Sequence, residues 1–129
     1  MLKITQLDHV GLTVSDLDKS LDFYRRLELQ ILRTNGPDAK GVRSAVVKMA
    51  NQELNIFSRA DAAPIDTRDN AAGMHHFCLR MEAASIEELV ADVRAAGLEI
   101  VHGLSKRRDG FSLFLSDPDG VRVELQIFD

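Results

Sequence analysis

The chain is 129 residues long, 45% hydrophobic and 28% charged, the size and composition of one ordinary globular domain that folds on an apolar core. Its 16 basic and 20 acidic residues leave a net charge of −4, which argues against a nucleic acid or an anionic membrane surface as partner. The single cysteine, Cys78, excludes an internal disulfide and a cysteine-based zinc cluster, and no apolar run reaches the roughly 18–20 residues of a membrane span. In chain order, MLKITQLDHV has neither the apolar stretch nor the cleavage site of a secretion signal, so a cytoplasmic location is expected. ITQLDHVGLTV alternates as a strand, with Leu7, His9, Gly11 and Thr13 on one face and Asp8, Val10, Leu12 and Val14 on the other. Asp16 is a good N-cap, and Leu17, Leu21, Tyr24 and Leu27 recur at helical spacing, with Phe23 and Tyr24 as core. Strands are expected at Leu29–Thr34, Val42–Ala50 and Glu53–Arg59, with Asn51-Gln52 as the tight turn between the last two.

A second series follows in the same order. Met74–Met81 reads as a strand, Ser85-Ile86-Glu87-Glu88 as a capping box, and Ile86, Leu89, Val90 and Val93 as the apolar stripe of a helix that Gly97 ends. Strands are then expected at Leu98–His102, Phe111–Ser116 and Gly120–Phe128, with Asp117-Pro118-Asp119-Gly120 as a turn. Each half is thus β-α-β-β-β. His9 and His76 lie 67 residues apart; Leu29 and Leu98, Ile31 and Ile100, and Asn55 and Glu124 each lie 69 apart. The two-residue drift falls in the strand–helix connection, where insertions are tolerated. The reading is a duplication within a single domain, 1–129: a first module at about 1–59, a linker at about 58–73, and a second module at about 74–129.

Two halves related by a pseudo-twofold axis make symmetry mates of His9 and His76, and of Asn55 and Glu124. Alternation sets these four opposite the apolar residues, on a concave face. Two neutral imidazoles and a carboxylate are a sound donor set for a divalent first-row metal, with positions left open for substrate. Other polar residues have less specific roles. His75 alternates away from His76 and His102 ends a strand, so both are expected at the surface. Cys78 is expected to line the cavity. Lys106-Arg107-Arg108 is expected in a loop, as a solvated charge run or a lid over an anionic substrate. Arg122 and Gln126 flank Glu124 on its own face.

The stretches LDHVGLTVSDLDKSLDFYRRLEL, NQELNIF, MHHFCLRM and LFLSDPDGVRVELQ together span nearly the whole chain. Through them the sequence resembles the vicinal oxygen chelate superfamily of glyoxalase I, extradiol dioxygenases, fosfomycin-resistance transferases and bleomycin-binding proteins. The resemblance implies an α+β fold, two βαβββ modules forming a curved mixed sheet or half-barrel around a metal site. By motif it assigns His9, His76 and Glu124 as ligands of one divalent ion (Fe, Mn, Ni, Co or Zn). Glu124 and Asn55 are the expected catalytic pair. Asn55 stands where the glyoxalase branch carries a glutamate or glutamine, so it offers a hydrogen bond or a weak amide contact in place of a charged ligand; Glu53, two residues away, is the alternative for that position. Glu28 replaces the family's usual glycine after the first helix, which implies strain or altered capping. The expected function is a metal-dependent enzyme of glyoxalase or extradiol dioxygenase type, chelating two adjacent oxygens of a small substrate and stabilising an enediolate- or catecholate-like intermediate. The alternatives are a drug-sequestering module of bleomycin-resistance type and a fosfomycin-resistance-like transferase. Open sheet edges, which the family commonly covers by two-fold association, lead to the expectation of a homodimer.

Overall fold

Alternation along HVGLTV sends Leu12 and Val14 into the interior and leaves His9, Gly11 and Thr13 exposed, so this segment forms a strand, β1 (His9–Val14), with one covered and one open face. The computed structural model describes residues 1–128 and divides into two compact units, Met1–Ala63 and the described residues from Pro64 onward. In the first unit Asp16 caps α1 (Leu17–Arg26) by accepting from the Lys19 amide at 3.1 Å. The helix buries Leu17, Leu21, Phe23 and Tyr24 and packs on the strands that follow it, β2 (Gln30–Asn35), β3 (Arg43–Met49) and β4 (Gln52–Ser58). These strands and β1 form an open four-stranded sheet in the order β1-β4-β3-β2, with β1 parallel to β4 and the other pairs antiparallel.

The second unit repeats the plan with β5 (Phe77–Arg80), α2 (Ile86–Ala95), β6 (Ile100–Arg107), β7 (Gly110–Ser116) and β8 (Arg122–Phe128), in the sheet order β5-β8-β7-β6. Ser85 caps α2 by accepting from the Glu88 amide at 3.1 Å, and the Glu88 carboxylate reaches back to the Ala84 amide at 2.7 Å. The turn between β7 and β8 is built on Asp117, whose carboxylate accepts from the amides of Asp119 and Val121 at 2.9 and 2.8 Å.

The duplication holds at the level of individual bonds. In the first unit the Glu28 amide donates to Arg25 and the Leu29 amide to Tyr24, at 2.8 and 3.3 Å. In the second, 69 residues on, the Gly97 amide donates to Arg94 and the Leu98 amide to Val93, at 3.0 and 3.2 Å. Both are Schellman endings, which require a left-handed residue; Glu28 and Gly97 supply it with φ of +61° and +74°. Strand registers agree as well: Asn55 pairs with Gly11 and Val46, and Glu124 with Cys78 and Phe114. Both outer antiparallel strands carry a register shift at the matching place, around Leu32 and Val101, and both of those side chains are exposed.

Three expectations about local structure need correction. The β3–β4 turn is Ala50-Asn51 and not Asn51-Gln52, because Gln52 already pairs with Met49. β5 starts at Phe77 and not at Met74, so His75 and His76 precede the strand. β6 does not stop at His102 but runs on to Arg107, which places Lys106 and Arg107 in a strand and leaves Arg108-Asp109 as the turn. The extension is held from β7, where Lys106 lies over the Phe111 ring at 4.3 Å and Arg107 donates to Ser112 at 3.0 Å. Among the described residues no helix is long and apolar enough to cross a membrane.

Candidate functional site

Period-two alternation on β8 sets Arg122, Glu124 and Gln126 on one face, and the parallel pairing of β5 sets Cys78 beside Glu124. Glu124 is only 4% exposed, yet it is a carboxylate with partners on every side. Arg107 donates from Nη2 to its Oε2 at 2.5 Å and from Nε to the buried Ser112 hydroxyl at 3.0 Å. His76 Nε2 faces the other oxygen, Oε1, at 3.9 Å. Burial by itself would raise the Glu124 carboxyl, but the Cys78 thiol, the Arg107 guanidinium and His76 together hold it below the usual carboxylate range. The same juxtaposition pushes the Cys78 thiol up to about 12, through burial first and the neighbouring Glu124 carboxylate second. A thiol so raised is no nucleophile at neutral pH.

His76 is fixed by its neighbours. Its ring meets Phe114 edge-on at 5.3 Å and the His75 ring at 5.1 Å, and its Nδ1 lies 2.9 Å from His75 Nδ1. His75 therefore does not turn away from His76, because the chain at these two residues has not yet become an extended strand. Its Nε2 lies 3.5 Å from Asp69, which in turn accepts from Arg122 at 3.1 Å. Arg122 also donates to the carbonyls of His75 and Thr67, tying the segment before β5 to β8. His102 is exposed, with its ring 6.0 Å from Phe114.

In the first unit His9 is exposed at the start of β1, with Nδ1 2.9 Å from Asp8 and Glu53 as its register partner on β4. Asn55 lies two residues further along β4, beside Gly11. Its side-chain oxygen is buried and has no hydrogen-bond partner among the described residues. Of the residues nominated from sequence, His76 and Glu124 thus stand in one cluster of the second unit, and His9 and Asn55 stand on neighbouring strands of the first. The sequence reading missed Arg107 as the partner of Glu124, together with Ser112, Phe114 and Asp69. Register along β7 and β8 would have set Ser112 and Phe114 near Glu124; Arg107 needed the true length of the β6–β7 hairpin.

Within the second unit, His76 Nε2 and the ionised Glu124 carboxylate are donor types that suit a divalent first-row ion. Within the first, His9 has Nδ1 engaged by Asp8, which leaves Nε2 open. Among the described residues no three His, Cys, Asp or Glu side chains are grouped so as to hold a metal ion.

A family model described as the Glyoxalase/Bleomycin resistance protein/Dioxygenase superfamily matches residues 6–125. The chain is 27% identical to human mitochondrial methylmalonyl-CoA epimerase, over 94% of this chain and 73% of that protein. A glyoxalase family protein of solved structure from Enterococcus faecalis superposes with a TM-score of 0.80 at 27% identity, over 94% of this chain and 96% of that one. The fold is also that of FosX, the fosfomycin resistance protein of Listeria monocytogenes. Its E126Q mutant, solved with Mn(II) and 1S,2S-dihydroxypropylphosphonic acid, has a TM-score of 0.77 at 20% identity, over 96% of this chain and 93% of that one.

Proposed function

Because the chain belongs to the Glyoxalase/Bleomycin resistance protein/Dioxygenase superfamily, we propose that it is a divalent-metal-dependent enzyme acting on a small substrate with two adjacent oxygens. His9, His76 and Glu124 are the protein ligands in this reading. The observation that carries it is the buried, ionised Glu124 facing His76 Nε2, a carboxylate and an imidazole of the types that a divalent first-row ion takes. When bound, the metal supplies Lewis-acid polarisation of the substrate oxygens. The chain's own groups do the rest. Phe114 holds the His76 ring and excludes water from its flank, and Arg107 keeps Glu124 ionised and adds positive charge that favours an anionic substrate. Asn55 donates or accepts a hydrogen bond but takes no proton, so a proton shuttle between two carboxylates is incomplete in this chain. The exposed apolar residues on the outer strands, Leu32 and Val101, support a homodimer in which those edges are covered. The proposed setting is the cytoplasm.

A second reading, a metal-free binding module, is favoured by one feature: Arg107 already neutralises Glu124 without an ion. Metal content separates the two. Chelator-stripped protein exposed to Zn(II), Mn(II) or Fe(II) and then desalted is expected to retain one ion per chain by elemental analysis. Alanine at His9, His76 or Glu124 is expected to remove most of it. Turnover by the loaded protein is then sought on a catechol panel and a hemithioacetal panel. Failure of the wild type to retain any ion would favour the binding module.

A further inference from the structure

A regular β6 would carry His102 on the wrong face for the site. Ile100 pairs with Leu115, so an even ladder would set His102 opposite Leu113, on the buried face. A register shift between Ile100 and His102 sets His102 opposite Phe114 instead, and a one-residue shift turns a side chain to the other face. Phe114 pairs in turn with Glu124, and Glu124 with Cys78. Directly paired residues project to the same side, so these four form one row across the face of the second sheet that carries Glu124. The first sheet has the same shift, but there Arg33 stands opposite Val46. The imidazole at this place is therefore particular to the second half and not a demand of the fold.

Two imidazoles meet the Phe114 ring edge-on, His76 at 5.3 Å and His102 at 6.0 Å between centroids. They come from opposite sides, His76 from the start of β5 and His102 from β6. Two strand spacings, about 10 Å, separate β6 from β8, and the partly exposed Phe114 ring is the floor between them. His102 is exposed, and its ring nitrogens enter no hydrogen bond or ion pair among the described residues. Of the charged groups on this face, Arg107 and Glu124 bond to each other, Arg80 lies over the Phe128 ring, and Arg122 holds the segment before β5. The Cys78 thiol is pushed up to about 12. Imidazole is the side-chain type that takes and returns a proton near neutrality.

We propose that His102 is a catalytic residue: a small planar substrate held at the Glu124 end lies over the Phe114 ring and gives a hydroxyl proton to the His102 ring. This role rests on the functional reading above and adds the base that Asn55 cannot supply. In the step, the lone pair of a neutral imidazole nitrogen takes the proton as the O–H bond breaks. The bonding pair stays on oxygen, and an imidazolium and an oxyanion result, with no oxidant or reductant taking part. The substrate class that fits is a catechol-like compound, flat enough for the Phe114 floor and with a hydroxyl among its two adjacent oxygens.

The test uses Zn(II)-loaded protein and 4-nitrocatechol, whose visible spectrum changes as each hydroxyl ionises. Zn(II) has no redox chemistry, so the probe is bound but not turned over. Retained Zn(II) is measured first by elemental analysis. Wild type, H102F and H102Q are expected to hold equal amounts, since His102 is exposed and is not a proposed ligand. The bound probe is then titrated across the histidine range, about pH 5 to 8. In H102F the midpoint of its last ionisation is expected about one pH unit above wild type, and its affinity about tenfold weaker. H102Q restores a hydrogen-bonding group but no base, so affinity is expected within about threefold of wild type while the midpoint stays high. An H102F protein with wild-type affinity and midpoint, or a wild type that retains Zn(II) without binding the probe, overturns the role of His102 and leaves the metal reading standing. A wild-type midpoint in H102Q means hydrogen bonding without proton transfer, and overturns it as well. Loss of Zn(II) from H102F would make His102 a ligand instead of a base. A wild type that retains no ion refutes the metal reading, and the role of His102 with it.

Discussion

At the scale of single residues, the two clearest departures from ideal chemistry are Glu28 and the Arg107–Glu124 pair. Glu28 holds the left-handed position that closes α1 at φ +61°, where a side chain costs about 1–2 kcal/mol. Glycine there relieves the clash but adds freedom to the unfolded chain, so E28G is expected to stabilise the protein by about 0.5–1 kcal/mol in urea unfolding. This strain was readable in advance, because glycine occupies the equivalent position, Gly97, in the second half. The role of Arg107 was not, because a run of three basic residues looks the same whether solvated or tucked against a carboxylate. R107M leaves Glu124 buried without its strongest partner, and a loss of about 2 kcal/mol is expected at pH 7, tempered by the partial exposure of Arg107. The pH dependence follows from the sign of the shift. The wild-type Glu124 carboxyl is lowered, so its contribution is present above the usual value of 4.5 and is lost as pH falls through the lower folded value. In R107M burial is less opposed, and protonation relieves it. The gap between wild type and variant, measured by urea titration, is therefore widest near neutrality and narrows below 4.5; a gap independent of pH would mean that the charge pair is not its cause.

At the scale of elements, the helix boundaries were legible because they are set by chemistry within a few residues. Asp16 and Ser85 each accept from the amide three residues on, and each helix closes with the same pair of backbone bonds. Ser85→Ala removes the acceptor that serves the Glu88 amide, and about 1 kcal/mol of stability is expected to go with it in urea unfolding. A Ser85→Asp cap should recover most of that loss, since it restores an acceptor and adds charge at the helix N-terminus. Strand lengths were less legible, for a physical reason. β6 beyond His102 is exposed along much of its length and lacks clean alternation, so nothing local marks it as a strand. It is extended because β7 pairs with it, and that pairing is decided by residues distant in the chain. The start of β5 failed in the opposite direction. MHHF alternates acceptably, but Arg122 and Asp69 hold the residues before Phe77 in a different arrangement.

At the scale of the whole molecule, the duplication was the strongest signal in the sequence, and the registers carry it to the site residues: Asn55 occupies in the first sheet the place that Glu124 occupies in the second. The two positions have diverged in a way that explains the choice of residue. Glu124 has an arginine, a thiol and a histidine around it, so burial of its charge is compensated. The Asn55 oxygen is buried and has no hydrogen-bond partner among the described residues, so a neutral amide is the less costly occupant there. Replacing it by glutamate restores the sequence symmetry but installs a carboxylate without compensation. Metal-free N55E is therefore expected to lose about 2–3 kcal/mol at pH 7, and less at pH 4–5, because protonation removes the buried charge. On the proposed metal reading, added divalent ion reverses the sign. If Asn55 belongs with the proposed metal donors, as the equivalence to Glu124 implies, a fourth ligand, and the second anionic one, tightens binding and returns the lost stability by mass action. The chelator-competition affinity of N55E is expected to exceed that of wild type, and its unfolding midpoint is expected to rise further on metal addition. A variant that is destabilised yet binds metal no better would place the Asn55 side chain outside the metal's reach. Glu53, the register partner of His9, would then be the first-sheet carboxylate to test in the same way.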